Sequence, residues 1–303
     1  QREIEWLLWA SAQDRLGGAS DTAGWDQFHG YGRLNALYAV QMAAQQTPLP
    51  LPLNLSTRGF VATGEGVMIA GLILNGVHAK NVIVRAIGPS LSARGVNGAL
   101  QDPALELYDA SGALVASSFS WRESQLDVVA TGLAPGDDRE PAIVRILQPG
   151  AYTAIVRGTG GSTGVALVEA YDLQQTPNSR LANISTRGFV AGGDSVLIGG
   201  FITGAPSRYV LRAIGPSLRN AGLTNPLSDP RLQLYDANGA LRAANDDWQS
   251  DPNSSRVQSL GLAPSHPQES ALFVELPSGP QTAIVRGTDG TSGIGLVEVY
   301  AVQ

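Results

Sequence analysis

Ser56-Thr-Arg-Gly-Phe-Val-Ala62 is spelled again, letter for letter, as Ser185-Thr-Arg-Gly-Phe-Val-Ala191, and Arg85-Ala-Ile-Gly-Pro-Ser-Leu91 returns as Arg212-Ala-Ile-Gly-Pro-Ser-Leu218. The match runs on through Leu107-Tyr-Asp109 and Leu234-Tyr-Asp236, Trp121 and Trp248, and Ala154-Ile-Val-Arg-Gly158 and Ala283-Ile-Val-Arg-Gly287, ending at Leu167-Val-Glu169 and Leu296-Val-Glu298. The offset is 127 residues in the middle and 129 at both ends, so small insertions compensate and the frame is kept. One domain is therefore written twice, at 54–173 and 183–303, behind a Pro-rich connector at 46–53 and a second connector at 174–182. Gln45-Gln-Thr-Pro48, running into the first connector, returns as Gln174-Gln-Thr-Pro177 at the second, as if the module were copied with its leader.

Within each copy the pattern is that of strands. Val67-Met-Ile-Ala-Gly-Leu-Ile-Leu74 and Val196-Leu-Ile-Gly-Gly-Phe-Ile202 are short apolar runs bounded by Gly, the length and composition of buried strands. Leu105 to Val115 reads as a hairpin, and its second-copy version turns on Asp236-Ala-Asn-Gly239, where Asn and Gly tolerate positive φ. Many short strands with turn residues between them and little helix predict a mainly β protein of two tandem antiparallel sandwiches, each with its own core. A jelly-roll-like strand order fits the same pattern. The stretch 151–171 is expected to be a closing hairpin; with its turn at Gly161, Arg157 opposes Val165 and Thr153 opposes Glu169. Arg157 and Glu169 then share a face and pair, as do Arg286 and Glu298. Arg58, Arg85, Asp102 and Glu140 are further candidates for structural charges, because a buried charge left unpaired costs several kcal/mol.

In front of the copies, Glu3 to Ala12 has apolar residues at helical spacing and Gly17-Gly18 stops it; Arg33 to Ala44 repeats the pattern. Two such short helices cannot bury Trp6, Trp9 and Trp25 against each other alone, so a partner surface is expected. Asp26-Gln-Phe-His-Gly-Tyr-Gly-Arg-Leu-Asn-Ala36, with Tyr38-Ala-Val40 and Ala43 behind it, resembles the closing segment of a subtilisin-like (S8) serine protease catalytic domain. The helix before it resembles that family's penultimate helix. The likeness covers 1–45 and implies an upstream, secreted bacterial protease domain. The family's Asp, His and Ser blocks lie upstream of such a segment and are not in this chain, so no catalytic residue is carried over and the chain is expected not to be an enzyme. Leu107-Tyr-Asp-x-x-Gly112 and Pro149-Gly-x-Tyr-Thr-Ala-Ile-Val156 resemble the bacterial pre-peptidase C-terminal β-sandwich, which implies an accessory role; the second copy departs at Pro280-Gln281, where Tyr152 has no aromatic counterpart.

Bulk properties narrow the function. The net charge is -6 and the 43% hydrophobic, 15% charged composition is that of a globular chain. An acidic protein whose arginines form no run is a poor match to nucleic acid. With no Cys there is neither a disulfide framework nor a thiolate metal site. No apolar run approaches a bilayer span, and Gln1-Arg-Glu-Ile-Glu does not spell a signal peptide.

Few residues offer chemistry. The histidines His29, His78 and His266 occupy no equivalent places in the copies. The Gly-rich loops at 158–164 and 287–293 lack the Lys and following helix of a phosphate cradle and read as turns. Asp246, Asp247 and Asp251 are weak Ca²⁺ candidates by their hard oxygen ligands, and no other cofactor is expected. Trp121 and Trp248 fall at matching positions beside loops, and a sugar-stacking pair is one reading of them, a core role the other. Three roles follow: an accessory region of a secreted subtilisin-like protease, a self-assembling subunit of an extracellular filament or layer with the front helices on a neighbouring copy, or a carbohydrate-binding module for an extracellular polysaccharide.

Overall fold

The computed structural model describes residues 52–173, 179–192, 195–204 and 206–302. The two expected helices with Trp6, Trp9 and Trp25, and His29 with them, lie outside the described residues.

The first copy contributes β1 (Pro52–Val61), β2 (Met68–Gly76), β3 (Lys80–Ile87), a short α1 (Pro89–Ser92), β4 (Pro103–Asp109), β5 (Leu114–Ser118), α2 (Gln125–Ala130), β6 (Ala142–Leu147), β7 (Gly150–Gly158) and β8 (Gly164–Asp172). The second contributes β9 (Ser179–Val190), β10 (Leu197–Thr203), β11 (Ser207–Ile214), β12 (Pro230–Asp236), β13 (Leu241–Asn245), α3 (Ser254–Ser259), β14 (Ser270–Leu276), β15 (Gly279–Gly287) and β16 (Gly293–Val302). All named strand pairs are antiparallel. Inward and outward residues alternate along them: in β2, Met68, Ala70, Leu72 and Leu74 are buried while the residues between are partly open. The mainly β, antiparallel expectation is met. Strand pairing begins at Pro52 and Ser179, inside the stretches read as connectors.

The copies do not close separately. β1 pairs with β8 of its own copy on one side and with β10 of the other copy on the other. β9 does the reciprocal, pairing with β16 and with β2. The result is two runs of strands, β6-β3-β8-β1-β10-β15-β12-β13 and β14-β11-β16-β9-β2-β7-β4-β5, each half from one copy and half from the other. The runs meet where Phe60 pairs with Phe189. Around that point, residues pair with their own counterparts: Thr57 and Thr186, both buried, join hydroxyls at 2.9 Å, and the Phe60 and Phe189 rings stand 6.3 Å apart. Ser56 faces Gly200 as Ser185 faces Gly71. A Cβ on Gly200 would meet Ser56 Oγ at 2.6 Å, so a larger residue there would turn the serine hydroxyl away from the Gly200 carbonyl.

Side chains of both runs fill one continuous core, in which Leu72, Leu107 and Val168 of the first copy share a cluster with Leu197, Leu234 and Val297 of the second. The expectation of a separate core for each copy is thus corrected. The heptapeptide of β1 is identical to that of β9, so no local signal decides which copy supplies its second neighbour.

The closing hairpin is corrected as well. β7 pairs with β2 and β4, while β8 pairs with β1 and β3, so the loop between them crosses from one sheet to the other. β15 and β16 are divided in the same way. Gly158 is fixed by this crossing, because a Cβ would run into the Ser162 carbonyl. The hairpin at Leu105 to Val115 does form, as β4 and β5, with Asp109 Oδ1 accepting from the Ser111 and Ala113 amides and Gly112 at φ 81°.

Candidate functional site

Sequence repetition singles out the end of β3 and of β11, where Arg-Ala-Ile-Gly-Pro-Ser-Leu leaves the sheet. Pro cannot continue the ladder and its fixed φ starts a helical turn. Turning there strands the Gly88 and Ser90 amides, and both donate to Oε1 of Glu140 at 3.0 and 2.9 Å. Ser90 Oγ and the Asp137 amide donate to Oε2. Glu140 is 0% exposed and its charge is spread over these donors. Glu269 repeats the arrangement, taking the Gly215 and Ser217 amides, Ser217 Oγ and the His266 amide. It too is fully buried. Each glutamate staples the turn after β3 or β11 to the loop before that strand's neighbour in the sheet, β6 or β14.

The arginine that opens the motif makes a second cluster. Arg85 Nε donates to Glu169 Oε2 at 2.7 Å, its Nη1 to the Leu133 carbonyl, and its Nη2 to Tyr171 Oη at 3.4 Å, while Tyr171 Oη donates to Glu169 Oε1 at 2.7 Å. Arg212, Glu298, Tyr300 and the Leu262 carbonyl reproduce it. Burial first, and then the Glu298 charge, push the Tyr300 hydroxyl up to about 12, which keeps it a donor. The tyrosines escaped the sequence reading although Leu-Val-Glu-x-Tyr recurs in both copies. The arginine, glutamate and tyrosine are spent on one another and on a loop carbonyl, which makes the cluster a brace between strands and loop.

The charge pairs expected across the hairpin form differently. Glu169 joins Arg85, and Arg157 reaches Glu106 at 3.2 Å, because β7 and β8 lie in different sheets. Glu298 joins Arg212. Arg85 and Glu140 are structural charges as expected.

Trp121 is 5% exposed, donates Nε1 to the Asp137 carbonyl and carries the Arg122 guanidinium 3.9 Å from its ring. Trp248 is half-buried against Val210, Val257 and Ala271. An exposed stacking pair is corrected to a packed Trp121 and a partly covered Trp248.

Of the Ca²⁺ candidates, Asp251 caps the Asn253 amide, and Asp246 accepts from Thr288 Oγ1 at 2.7 Å. Burial, then the charges of Asp246, Asp247 and Asp289, raise the Asp229 carboxyl above the usual range, and its buried Oδ1 has no hydrogen-bond partner. The acids that gather are therefore Asp229, Asp246, Asp247 and Asp289. No group of three His, Cys, Asp or Glu side chains among the described residues is placed to hold a metal ion.

One concave surface combines several unlike polar groups. A hollow of ≈ 450 Å³ in the second copy is lined by Ser217, Arg219, Asn220, Ser228, His266 and Gln268. It lies directly over the Glu269 staple, which fixes both of its walls. The Gln268 amide donates to His266 Nδ1 at 3.3 Å, so the ring proton sits on Nε2. His78 lies elsewhere and is exposed.

No helix among the described residues is long and apolar enough to cross a membrane, which leaves β-barrel spans unaddressed. No protein-family model matches the chain, and no curated protein does. Among solved structures, the pre-peptidase C-terminal domain of a collagenase from Bacillus anthracis covers 39% of this chain and 89% of its own length at 13% identity and a TM-score of 0.26. The major capsid protein P2 of bacteriophage PM2 covers 81% of this chain and 98% of its own length at 8% identity and a TM-score of 0.22. A Sulfolobus turreted icosahedral virus structure covers 84% and 89% at 9% identity and a TM-score of 0.23. Likeness at this level carries no argument about function.

Proposed function

We propose that this chain is a non-catalytic accessory region of a secreted bacterial subtilisin-like serine protease, its two copies acting as one stiff attachment or stabilising body. The observation that carries the reading is the reciprocal pairing of β1 with β10 and of β9 with β2, which turns a tandem repeat into a single unit. A flexible tether needs no such exchange, whereas a rigid spacer gains from it. The repeated charged residues agree with a scaffold role: Glu140 and Glu269 spend their oxygens on turn and loop amides and a serine hydroxyl, and Arg85 and Arg212 spend their donors on Glu169 or Glu298, a tyrosine and a backbone carbonyl. The resemblance of residues 1–45 supplies the protease context.

Sequencing the reading frame upstream of Gln1 is the direct test. A subtilisin-like catalytic domain in frame is expected there, and a frame without one overturns the reading. On the purified chain, a fluorophosphonate probe should label nothing; labelling of any serine speaks against a non-catalytic role.

Self-assembly is a second reading, favoured by a difference between the copies. Phe119, Leu126, Val129 and Ile146 are large, apolar and exposed in the first copy. Their counterparts in the second are Asp246, Ser255, Gln258 and Glu275. Ile146 lies on β6, an edge strand, whereas Glu275 on the matching edge β14 pairs with Arg208 at 2.7 Å. A bare apolar edge invites a second chain and a charged one repels it. Sedimentation velocity over a concentration series should show association that Ile146→Lys abolishes; a monomer at all concentrations removes this reading.

A further inference from the structure

The hollow above Glu269 has a counterpart scaffold in the first copy with different lining, and that comparison separates what folding needs from what it does not. Both copies keep the glutamate and its donors on the turn and the loop. Around it, Arg219, Asn220, Ser228, His266 and Gln268 take the places of Ser92, Ala93, Gln101, Asp137 and Arg139. In the first copy the two charged residues cancel: Arg139 forks onto Asp137 at 2.9 and 2.8 Å and holds its carboxyl down at about 2. In the second copy Asp137 has become His266 and the arginine has moved to the opposite wall, where the exposed Arg219 guanidinium makes no hydrogen bond or ion pair with the described residues, its backbone carbonyl alone accepting from the Gly222 amide. The buried carboxylate below does not neutralise it, since Glu269 is engaged by its own four donors, the Gly215, Ser217 and His266 amides and Ser217 Oγ.

We propose that this hollow binds a small polyhydroxylated anion, an acidic sugar whose charged group lies on Arg219 and whose hydroxyls meet Asn220, Ser228, Gln268 and His266. A planar guanidinium suits a carboxylate or a phosphoryl group through paired N–H donors. His266 has its Nδ1 occupied by the Gln268 amide and so presents Nε2–H as a donor. Hydroxyl and amide side chains both donate and accept, as ring hydroxyls require. The volume of ≈ 450 Å³ falls within the range of about 300–1,000 Å³ typical of small-molecule sites. Walls stapled by Glu269 keep this geometry without a ligand, which lowers the ordering cost of binding. The site goes beyond the accessory reading and does not depend on an upstream protease.

The test is an amide chemical-shift titration of the whole 303-residue chain with glucuronate, glucose 6-phosphate, glucose and inorganic phosphate. Saturable shifts at residues 216–220 and 265–268 are expected with one or both anionic sugars, and the stronger of the two identifies carboxylate or phosphate as the charged group. Glucose should bind about tenfold more weakly or worse, the loss of one charge-assisted contact. Arg219→Ala should bring the anionic sugars down to the level of glucose, and because the Arg219 guanidinium is exposed and the backbone bond from Gly222 is kept by alanine, the variant's thermal unfolding should be unchanged. Arg94→Ala, an exposed arginine of the first copy, should change nothing. The proposal is overturned if neither anionic sugar gives saturable shifts, if Arg219→Ala leaves binding intact, or if inorganic phosphate alone binds as tightly as the sugars. Each of these failures leaves the reading frame upstream of Gln1, and with it the accessory role, untouched.

Discussion

At the scale of single residues, the buried glutamates are the most costly groups to lose. Glu140→Ala leaves the Gly88, Ser90 and Asp137 amides and Ser90 Oγ without their acceptor. Each orphaned donor costs about 1–3 kcal/mol where water cannot reach it, so a loss of about 3 kcal/mol or more is expected in urea unfolding. Glu140→Gln keeps one carbonyl oxygen and should cost distinctly less. Asp229 behaves in the opposite sense. Its folded carboxyl is raised above the ordinary 3.8 by burial and by neighbouring aspartates. A raised carboxyl favours the folded state only where it is protonated, and that contribution disappears as pH climbs through the folded pKa. Asp229→Asn should therefore raise the melting temperature at neutral pH, and the gain should shrink as pH falls towards 3.8. A gain that persists unchanged in acid would point to another cause.

Between elements, the braces distinguish the sandwich from the hairpin that the sequence suggests. Arg85 and Glu169 lie on the paired strands β3 and β8, with side chains 16% and 10% exposed. Arg157 and Glu106 lie on β7 and β4 at the surface, 45% and 31% exposed. Arg85→Ala strands a poorly solvated carboxylate and should cost about 3 kcal/mol, whereas Arg157→Ala should cost less than about 1 kcal/mol. Were β7 and β8 a hairpin, Arg157→Ala and Glu169→Ala would be coupled in a double-mutant cycle. The fold predicts additivity for that pair and coupling for Arg85 with Glu169. The pairing had been legible as a set of charges recurring in both copies. Its partners had not, because Gly158-Thr-Gly-Gly-Ser-Thr-Gly164 spells a tight turn equally well for a hairpin and for a crossing between sheets.

For the whole molecule, the exchange of β1 and β9 makes the two copies one cooperative unit. Calorimetry of the chain should show a single transition for the sandwich, and two separable transitions would contradict the shared core. A fragment of residues 52–173 retains β2 without β9 and β1 without β10. Since β1 and β9 carry the same heptapeptide, a second fragment can fill both vacancies by swapping its own β1. Light scattering of that fragment should report a dimer, and a stable monomer would show that the edges close on themselves.

Repetition in the sequence determined the duplicated unit, and the short apolar runs determined its β character, because alternation and turn chemistry are local properties of the chain. Arg85 and Glu140 were legible as structural charges from their recurrence, while the Arg219 hollow was not, since its walls come from the turn after β11 and the loop before β14. Only the tertiary structure decided which copy each first strand joins. Identical segments present identical edges and identical apolar faces, so every local rule is satisfied by pairing within a copy or between copies. The choice rests on long-range contacts between the copies, at the joined hydroxyls of Thr57 and Thr186 and in the apolar cluster that both copies fill.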